Sequence, residues 1–340
     1  MALGHSGQER FPVWQVIGHE RPVHLLQHGV DTGRVSHAYL FSGPRQVGKL
    51  TLALEFAKAL NCLETERPCG QCRSCRKIER GVHPDVQVVE LEEGAKNISI
   101  DAVRGIQNGV ALRPAEGRAK VHIIREAERL SESAANSLLK TLEEPPPSVV
   151  MVLTTLDATM LLPTLVSRCQ EVDLLPVPTR TIETALEQRL GLDPERARLV
   201  ASLAKGRVGW ALKAATNQVM LRHRAELMER LVLLPQASRV ERFAYAAELN
   251  SLWGRDPEAA RGVLESWQSW WRDLLLFRLG MEDLVINVDL RDRLKVQARL
   301  YPIETLFRMV KTIQETLSLL VQNVNARLAL EVLMLQVPRA

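Results

Sequence analysis

Short apolar segments alternate with helical patterns through the first half of the chain. Four segments rich in aliphatic and aromatic residues are predicted to be β-strands: 38–42, 86–91, 120–124 and 149–154. Between them, apolar residues at helical spacing predict helices at 50–60 and at 131–144, the second starting at a serine and stopping before three consecutive prolines. Strands connected through helices predict a parallel sheet covered by helices on both faces.

The pattern changes after Cys169, where strand signals fade and prolines at 176 and 178 indicate a domain boundary. Residues 181–216 read as a small helical unit, and residues 259–279 and 303–335 carry apolar side chains at helical spacing. Because 340 residues exceed one ordinary core, we predict three domains. They are an α/β domain at 1–174, a small helical lid domain at 175–216 and an all-α C-terminal domain at 217–340.

The composition indicates a soluble globular protein, with 46% hydrophobic and 25% charged residues. No apolar run reaches the roughly 20 residues that a membrane span needs. Residues 1–10 are polar and lack a signal-peptide core, so we expect a cytoplasmic protein without a membrane partner. The formal net charge of +4 permits phosphate contacts but does not by itself indicate nucleic-acid binding.

A glycine-rich segment, 43–49, follows the first predicted strand and precedes a helix. This arrangement is typical of a phosphate-binding loop, in which backbone N–H groups and the positive end of the helix surround phosphate oxygens. Gly43 and Gly48 allow the tight backbone path, and Lys49 is placed to reach the terminal phosphates. The segment therefore predicts a nucleotide loop, and it leaves open whether ATP or ADP still binds.

The positions expected to hold Mg²⁺ beside this loop carry the wrong side chains. Leu50 replaces the Ser or Thr hydroxyl that follows the lysine, and Thr51 stands one position too late. At the end of the third predicted strand, Arg125 precedes Glu126 where an acidic pair is expected. Since Mg²⁺ neutralises charge in phosphoryl transfer, we expect the metal site and ATP hydrolysis to be lost. Alternatively, the segment after this strand is an ordinary charged loop, which also implies no ATPase.

Four of the five cysteines fall in one short segment: Cys62, Cys69, Cys72 and Cys75. Close pairs joined by a turn suit four-thiolate coordination of Zn²⁺ in a structural site without an open position. A cytoplasmic redox pair, unliganded thiols and an iron–sulfur cluster remain as alternatives. His83 is near enough in sequence to be a rival ligand, although a surface position suits it better. The sequence therefore predicts a structural zinc module at 62–75.

Further motifs follow the nucleotide loop and the cysteine cluster in a characteristic order. Residues 138–146 read Leu-Leu-Lys-Thr-Leu-Glu-Glu-Pro-Pro, and residues 167–169 read Ser-Arg-Cys. Together these motifs resemble those of the bacterial clamp-loader ATPases of the AAA+ class, the gamma/tau and delta-prime subunits of DNA polymerase III. The resemblance covers nearly the whole chain. It implies an AAA+ nucleotide-loop domain with an inserted zinc module, then a helical lid and an all-α collar domain that mediates oligomerisation.

Within that family, this chain departs from the gamma/tau pattern at three positions and there resembles the delta-prime type. The gamma/tau type has a hydroxyl after the loop lysine, an Asp before the strand-end Glu and a lid arginine that senses nucleotide. This chain has Leu50, Arg125 and Gly209 at those positions. The resemblance therefore implies a non-hydrolysing stator in a ring with gamma/tau and delta subunits. Such a ring loads the sliding clamp on primed DNA during DNA replication.

The resemblance also implies roles for two arginines. Arg168 of the Ser-Arg-Cys motif corresponds to an arginine finger that reaches the ATP of the adjacent subunit. Alternatively, Arg168 pairs with a local carboxylate such as Glu171. Arg104, on a helix beginning near Ser99, matches a position that contacts template DNA, although a solvated surface arginine is the simpler interpretation.

Two other functions remain open. One is an active, gamma/tau-like clamp-loader ATPase that uses Glu126 with an unusual metal arrangement. The other is a zinc-dependent DNA-binding module. The basic residues around the cysteines favour this function, whereas the lack of aromatic residues there argues against it. Trp267, Trp270 and Trp271 are spaced along one helical face and are expected to pack in a helical interface, not to stack on bases.

Overall fold

The fold is given by a computed structural model that describes residues 14–92, 94–110, 113–322 and 324–339, without the side chains of 107–110. The polar segment 1–10, on which the expectation of no signal peptide rests, lies outside the described residues. The chain separates into two compact units. Unit 1 is Met1–Ala185 with Gly206–Trp210, and unit 2 is Leu186–Lys205 with Ala211–Ala340.

Unit 1 contains a parallel sheet, and its described strands lie in the order β2-β3-β4-β1-β5. The strands are β1 (Ala38–Ser42), β2 (Val86–Val89), β3 (Lys120–Ile124), β4 (Val149–Thr155) and β5 (Gln170–Asp173). The four predicted strands are confirmed, whereas β5 was not predicted. Its sequence is Gln-Glu-Val-Asp, and only Val172 is buried, because β5 is an edge strand that pairs with β1 alone. A short polar edge strand carries little apolar signal.

Helices cover both faces of this sheet, as predicted. They are α1 (Glu20–Thr32), α2 (Lys49–Asn61), α3 (Arg73–Glu79), α4 (Ile100–Val110), α5 (Glu132–Glu143) and α6 (Pro163–Val166). Successive side chains of a strand point to opposite faces. Phe41 accordingly belongs to a core with Phe56 of α2, while Leu40 belongs to a second core with Leu138 of α5. The central strands are buried on both faces and therefore read as continuous apolar runs.

The remaining helices follow β5 without further described strands. They are α7 (Thr179–Leu190), α8 (Pro194–Ala204), α9 (Val208–Thr216), α10 (Gln218–Leu233), α11 (Arg239–Arg255), α12 (Pro257–Arg278), α13 (Arg291–Gln297), α14 (Ile303–Val321) and α15 (Ala326–Gln336). The predicted helical segment 303–335 is interrupted between α14 and α15, and the Asn325 side chain caps α15 by accepting a hydrogen bond from the Leu328 N–H at 3.2 Å.

Unit 2 is built around aromatic residues of α12. Trp267, Trp270 and Trp271 are each at most 1% exposed and share a core with residues of α10, α11, α13, α14 and α15. The expectation that these tryptophans pack between helices is confirmed. The predicted lid segment 175–216 contributes residues to both compact units, so the division into three domains stays a prediction. Among the described helices, none is long and apolar enough to cross a membrane.

Candidate functional site: a nucleotide loop, a cysteine cluster and an exposed arginine

The glycine-rich loop that the sequence predicts to bind phosphate lies between β1 and α2. Gly43 has φ +144°, and a Cβ on this residue would lie 2.2 Å from the carbonyl oxygen of Leu174. Gly48 has φ +123°. Backbone of this kind strongly disfavours any side chain, so both glycines are required by the path of the loop. The loop therefore retains the shape that presents backbone N–H groups to an anion.

Lys49 folds back onto the loop. Its Nζ donates to the carbonyl oxygen of Gly43 and, at 2.8 Å, to that of Pro44. Burial lowers the pKa of Lys49 to about 8, although the nearby Glu128 and Glu126 oppose the shift. Two of the three N–H donors of the ammonium group are therefore used within the loop.

Two contacts that the sequence did not reveal hold the loop from outside. A ring nitrogen of His19 lies 3.0 Å from the carbonyl oxygen of Val47. The N–H of Gly209 donates to the carbonyl oxygen of Gln46 at 2.7 Å, and a Cβ on Gly209 would lie 3.1 Å from that oxygen. Gly209, where the family resemblance places a nucleotide-sensing arginine, thus approaches the loop through its backbone.

The side chains at the positions expected to bind Mg²⁺ make other contacts. Leu50 packs against the core of unit 1, and Thr51 is exposed on the first turn of α2. Arg125 forms an ion pair with Glu90. A carboxylate oxygen of Glu126 lies 4.0 Å from the Nε of Arg129, and both side chains are partly exposed.

The four clustered cysteines meet where the end of α2 approaches the start of α3, and Cys75 lies within α3 itself. Their Sγ atoms all lie within 4.8 Å of one another, close to the ~3.8 Å separation that a tetrahedral site with ~2.3 Å metal–sulfur bonds requires. Backbone N–H groups point at three of the sulfurs: those of Cys62, Cys69 and Cys72 accept hydrogen bonds of 3.3–3.4 Å. Such donors stabilise thiolates, so the geometry suits a metal ion.

Acidity differs among these thiols. Burial raises the pKa of Cys62 and Cys75. Burial acts on Cys72 in the same direction, but backbone N–H groups outweigh it and lower the pKa of Cys72 to about 7. His83 does not join the cluster. Its ring lies between the Ser74 hydroxyl and the Asp85 N–H, each at 3.1 Å, and the expectation of a surface histidine is wrong because the residue is only 4% exposed.

Arg168 follows α6 at the surface of unit 1. Its Nη2 donates to Oε1 of Glu143 at 2.7 Å, and its Nη1 donates to the carbonyl oxygen of Thr164 at 2.9 Å. The expected local carboxylate partner is therefore Glu143 at the end of α5, not Glu171. The guanidinium group lies against its own subunit in this structure.

Arg104 lies on α4 and is exposed, as expected for a residue that contacts DNA or solvent. Its Nη1 lies 3.3 Å from Asp101, and both side chains are more than half exposed. An ion pair of this exposure holds the arginine only weakly.

These features define the class of protein. A glycine-rich loop leads from a central strand of a parallel sheet into a helix, and helical segments follow the sheet. The chain is thus a P-loop protein of the AAA+ class, with an additional cysteine cluster and a helical C-terminal unit.

Comparisons with known proteins identify the family. Models of the "DNA polymerase III, delta subunit" and of its C-terminal region match residues 18–178 and 218–338. The delta' subunit of DNA polymerase III from Bacillus subtilis is 31% identical over 328 residues, which cover 95% of this chain and 98% of that protein. The chain belongs to the delta-prime family of bacterial DNA polymerase III subunits, and the predicted membership is confirmed.

The tau subunits of DNA polymerase III are also similar to this chain, but the similarity covers only part of each tau subunit. The tau subunit of Escherichia coli is 39% identical over 212 residues, covering 60% of this chain and 32% of that protein. The tau subunit of Bacillus subtilis is 29% identical over 323 residues, covering 88% of this chain and 57% of that protein. The chain thus spans about a third and about half of these two proteins.

Proposed function

We propose that this chain is a delta-prime-like, non-hydrolysing stator of a bacterial DNA polymerase III clamp loader. The observation that supports the proposal is the identity of the side chains at the two positions where Mg²⁺ ligands are expected beside the nucleotide loop. Leu50 packs against the core and has no oxygen ligand, and Arg125 is a cation paired with Glu90, so neither can hold Mg²⁺. Without the ion, charge that develops on the transferred phosphoryl group is not neutralised.

In the assembled ring, Arg168 acts on the neighbouring subunit. It is the arginine of the Ser-Arg-Cys motif, it lies at the surface of unit 1, and its guanidinium group is permanently charged. A planar fork of N–H donors suits the equatorial oxygens of a transferring phosphoryl group. The chain thereby assists hydrolysis in a gamma/tau-type subunit that it does not perform itself.

The cysteine cluster holds a structural Zn²⁺ ion. Support comes from four sulfur ligands within 4.8 Å, which leave no position for substrate. The ion would tie the end of α2 to the start of α3, since Cys62 directly follows α2 and Cys72 caps α3. Its contribution is to folding and not to chemistry.

The C-terminal helices supply the contacts that assemble the ring with gamma/tau and delta subunits. On α15, Leu328, Val332 and Leu335 are 58%, 47% and 57% exposed and recur at helical spacing. An exposed apolar stripe of this kind suits a partner helix. The assembled cytoplasmic complex places the sliding clamp on primed DNA, and Arg104 is a candidate contact to the template strand.

ATPase measurements test the proposal. The isolated chain with Mg²⁺ is expected to show no turnover. Arg168→Ala is expected to lower the DNA-stimulated ATPase of the reconstituted ring, because an arginine finger contributes roughly 10³–10⁵-fold to kcat at the site that it serves. Arg21→Ala, an exposed arginine of α1, is the matched control and is expected to behave as wild type. Unchanged ring activity in Arg168→Ala would remove the trans role.

The competing functions give different results. Turnover by the isolated chain that is abolished by Lys49→Ala would indicate an active ATPase. DNA binding by the free chain that requires zinc would indicate a DNA-binding module, although Lys77 near the cluster is already paired with Glu116. Nucleotide titration with and without Mg²⁺ shows whether the loop binds nucleotide without hydrolysing it. Such a loop saturates equally well without the ion, whereas a loop that has lost nucleotide binding does not saturate.

A further inference from the structure

The side chain of Arg168 is held by its own subunit through two kinds of acceptor. The Glu143 carboxylate accepts from Nη2 at 2.7 Å, and the Thr164 carbonyl oxygen accepts from Nη1 at 2.9 Å. Only 34% of the side-chain surface is exposed. An arginine that serves a neighbouring subunit has to extend away from its own surface, and this one lies along it.

Glu143 is poorly placed for any role in its own helix. It is the last residue of α5, where the negative end of the helix dipole disfavours a carboxylate. Its side chain is half exposed, and Arg168 is its only partner within the described part of the chain. The carboxylate and the helix end together form a negative site for the guanidinium group.

We propose that Glu143 is a positioning residue that holds Arg168 against its own subunit until nucleotide phosphate in the neighbouring site displaces the carboxylate. This inference rests on the proposed trans role of Arg168. Carboxylate and phosphate compete for the same N–H donors, so the arginine cannot satisfy both fully. The more highly charged polyphosphate takes the guanidinium group when the neighbour is loaded, and Glu143 takes it back after release.

The expected size of the effect follows from the exposure of the pair. Ion pairs at this exposure are weak, so the Glu143 carboxylate multiplies the ratio of held to extended Arg168 by at most about fivefold. Removing the carboxylate charge therefore raises the fraction of competent Arg168 by up to about fivefold. Because kcat/KM compares the free complex with the transition state, the gain appears in kcat/KM for ATP.

The test uses the reconstituted clamp loader and its DNA-stimulated ATPase, with Glu143→Gln in this chain. We expect kcat/KM to rise by two- to fivefold at ~50 mM salt and the gain to shrink towards ~300 mM, because screening weakens the wild-type pair. Glu144→Gln, the adjacent exposed carboxylate without a contact to Arg168, is the matched control and is expected to leave kcat/KM unchanged. Thermal unfolding of each variant checks that the fold is retained.

A double variant separates this role from a general structural effect. Arg168→Ala with Glu143→Gln is expected to match Arg168→Ala alone, since Glu143 acts only through the arginine. A lower kcat/KM in Glu143→Gln would show that the carboxylate prepares Arg168 for its role. An unchanged kcat/KM would show that the carboxylate does not hold Arg168 back. Either result overturns the inference while a defect in Arg168→Ala preserves the proposed function. If Arg168→Ala is itself silent, both fall.

Discussion

Replacing His122 by methionine is expected to remove a large part of the acid sensitivity of unit 1. His122 lies in the middle of β3, is 5% exposed and pairs in register with Met151 of β4. Neither ring nitrogen has a hydrogen-bond partner among the described residues. Burial, with a smaller contribution from the charge of Lys120, lowers the pKa of His122 to about 4. The folded protein thus keeps this imidazole neutral.

The sign and size of the effect follow from the two pKa values. A histidine in the unfolded chain has a pKa of 6.5, so between pH 6.5 and about 4 the unfolded chain binds more protons than the folded one. The contribution of neutral His122 to the free energy of unfolding is therefore fully present above pH 6.5 and is lost as the pH falls towards 4. At about 1.4 kcal/mol per pH unit, the loss is about 3 kcal/mol, a large fraction of a typical domain stability of about 5–15 kcal/mol.

Urea unfolding followed by circular dichroism, repeated between pH 7.5 and 4.5, measures this loss. Methionine is flexible and apolar and can fill the site without titrating, so His122→Met is expected to flatten the pH dependence below pH 6.5. His24→Gln, an exposed histidine of α1, serves as the control and is expected to follow the wild type. Parallel curves for wild type and His122→Met would refute the reasoning, because the buried imidazole would then contribute no proton linkage.

Four further outcomes are expected. Cys72→Ser, or a chelator, is expected to abolish bound zinc measured by elemental analysis and to lower the unfolding midpoint, whereas Cys169→Ser outside the cluster keeps one ion per chain. Gly43→Ala is expected to cost about 3 kcal/mol of unfolding free energy, because its Cβ would lie 2.2 Å from a carbonyl oxygen at φ +144°. Gly254→Ala, in open space within α11, is instead expected to stabilise by about 0.5–1 kcal/mol. Val332→Glu is expected to weaken ring assembly, measured by size-exclusion chromatography, by tenfold or more without lowering the unfolding midpoint, because assembly would bury an unpaired charge; normal assembly would exclude α15 from the contact.

Much of the candidate site was predictable because its chemistry is local in sequence. The glycine loop lies directly between a strand and a helix, and the four cysteines fall within one short segment. Loops of this kind place their own backbone donors, so spacing alone indicates the ligand. The prediction that the Mg²⁺ ligands are lost likewise rests on residue type alone, at Leu50 and Arg125.

Other features depend on residues far apart along the chain. The edge strand β5 is recognised only by its pairing with β1, since its sequence is mostly polar. The burial of His83 was missed for a different reason: its contacts, Ser74 and Asp85, are near in sequence, but a lone histidine carries no apolar signal. Propensity and periodicity report the apolar content of a segment and not what its polar groups meet.

The sequence by itself determined the class of fold, the glycine-rich loop between a strand and a helix, and the cysteine cluster, and it predicts the loss of the Mg²⁺ ligands. Each of these depends on short-range spacing and on residue type. Only the tertiary structure decided that Gly209 donates to the loop and that Glu143 takes the guanidinium group of Arg168. These contacts join segments that approach each other through packing of the sheet and its helices, so no local pattern along the chain specifies them.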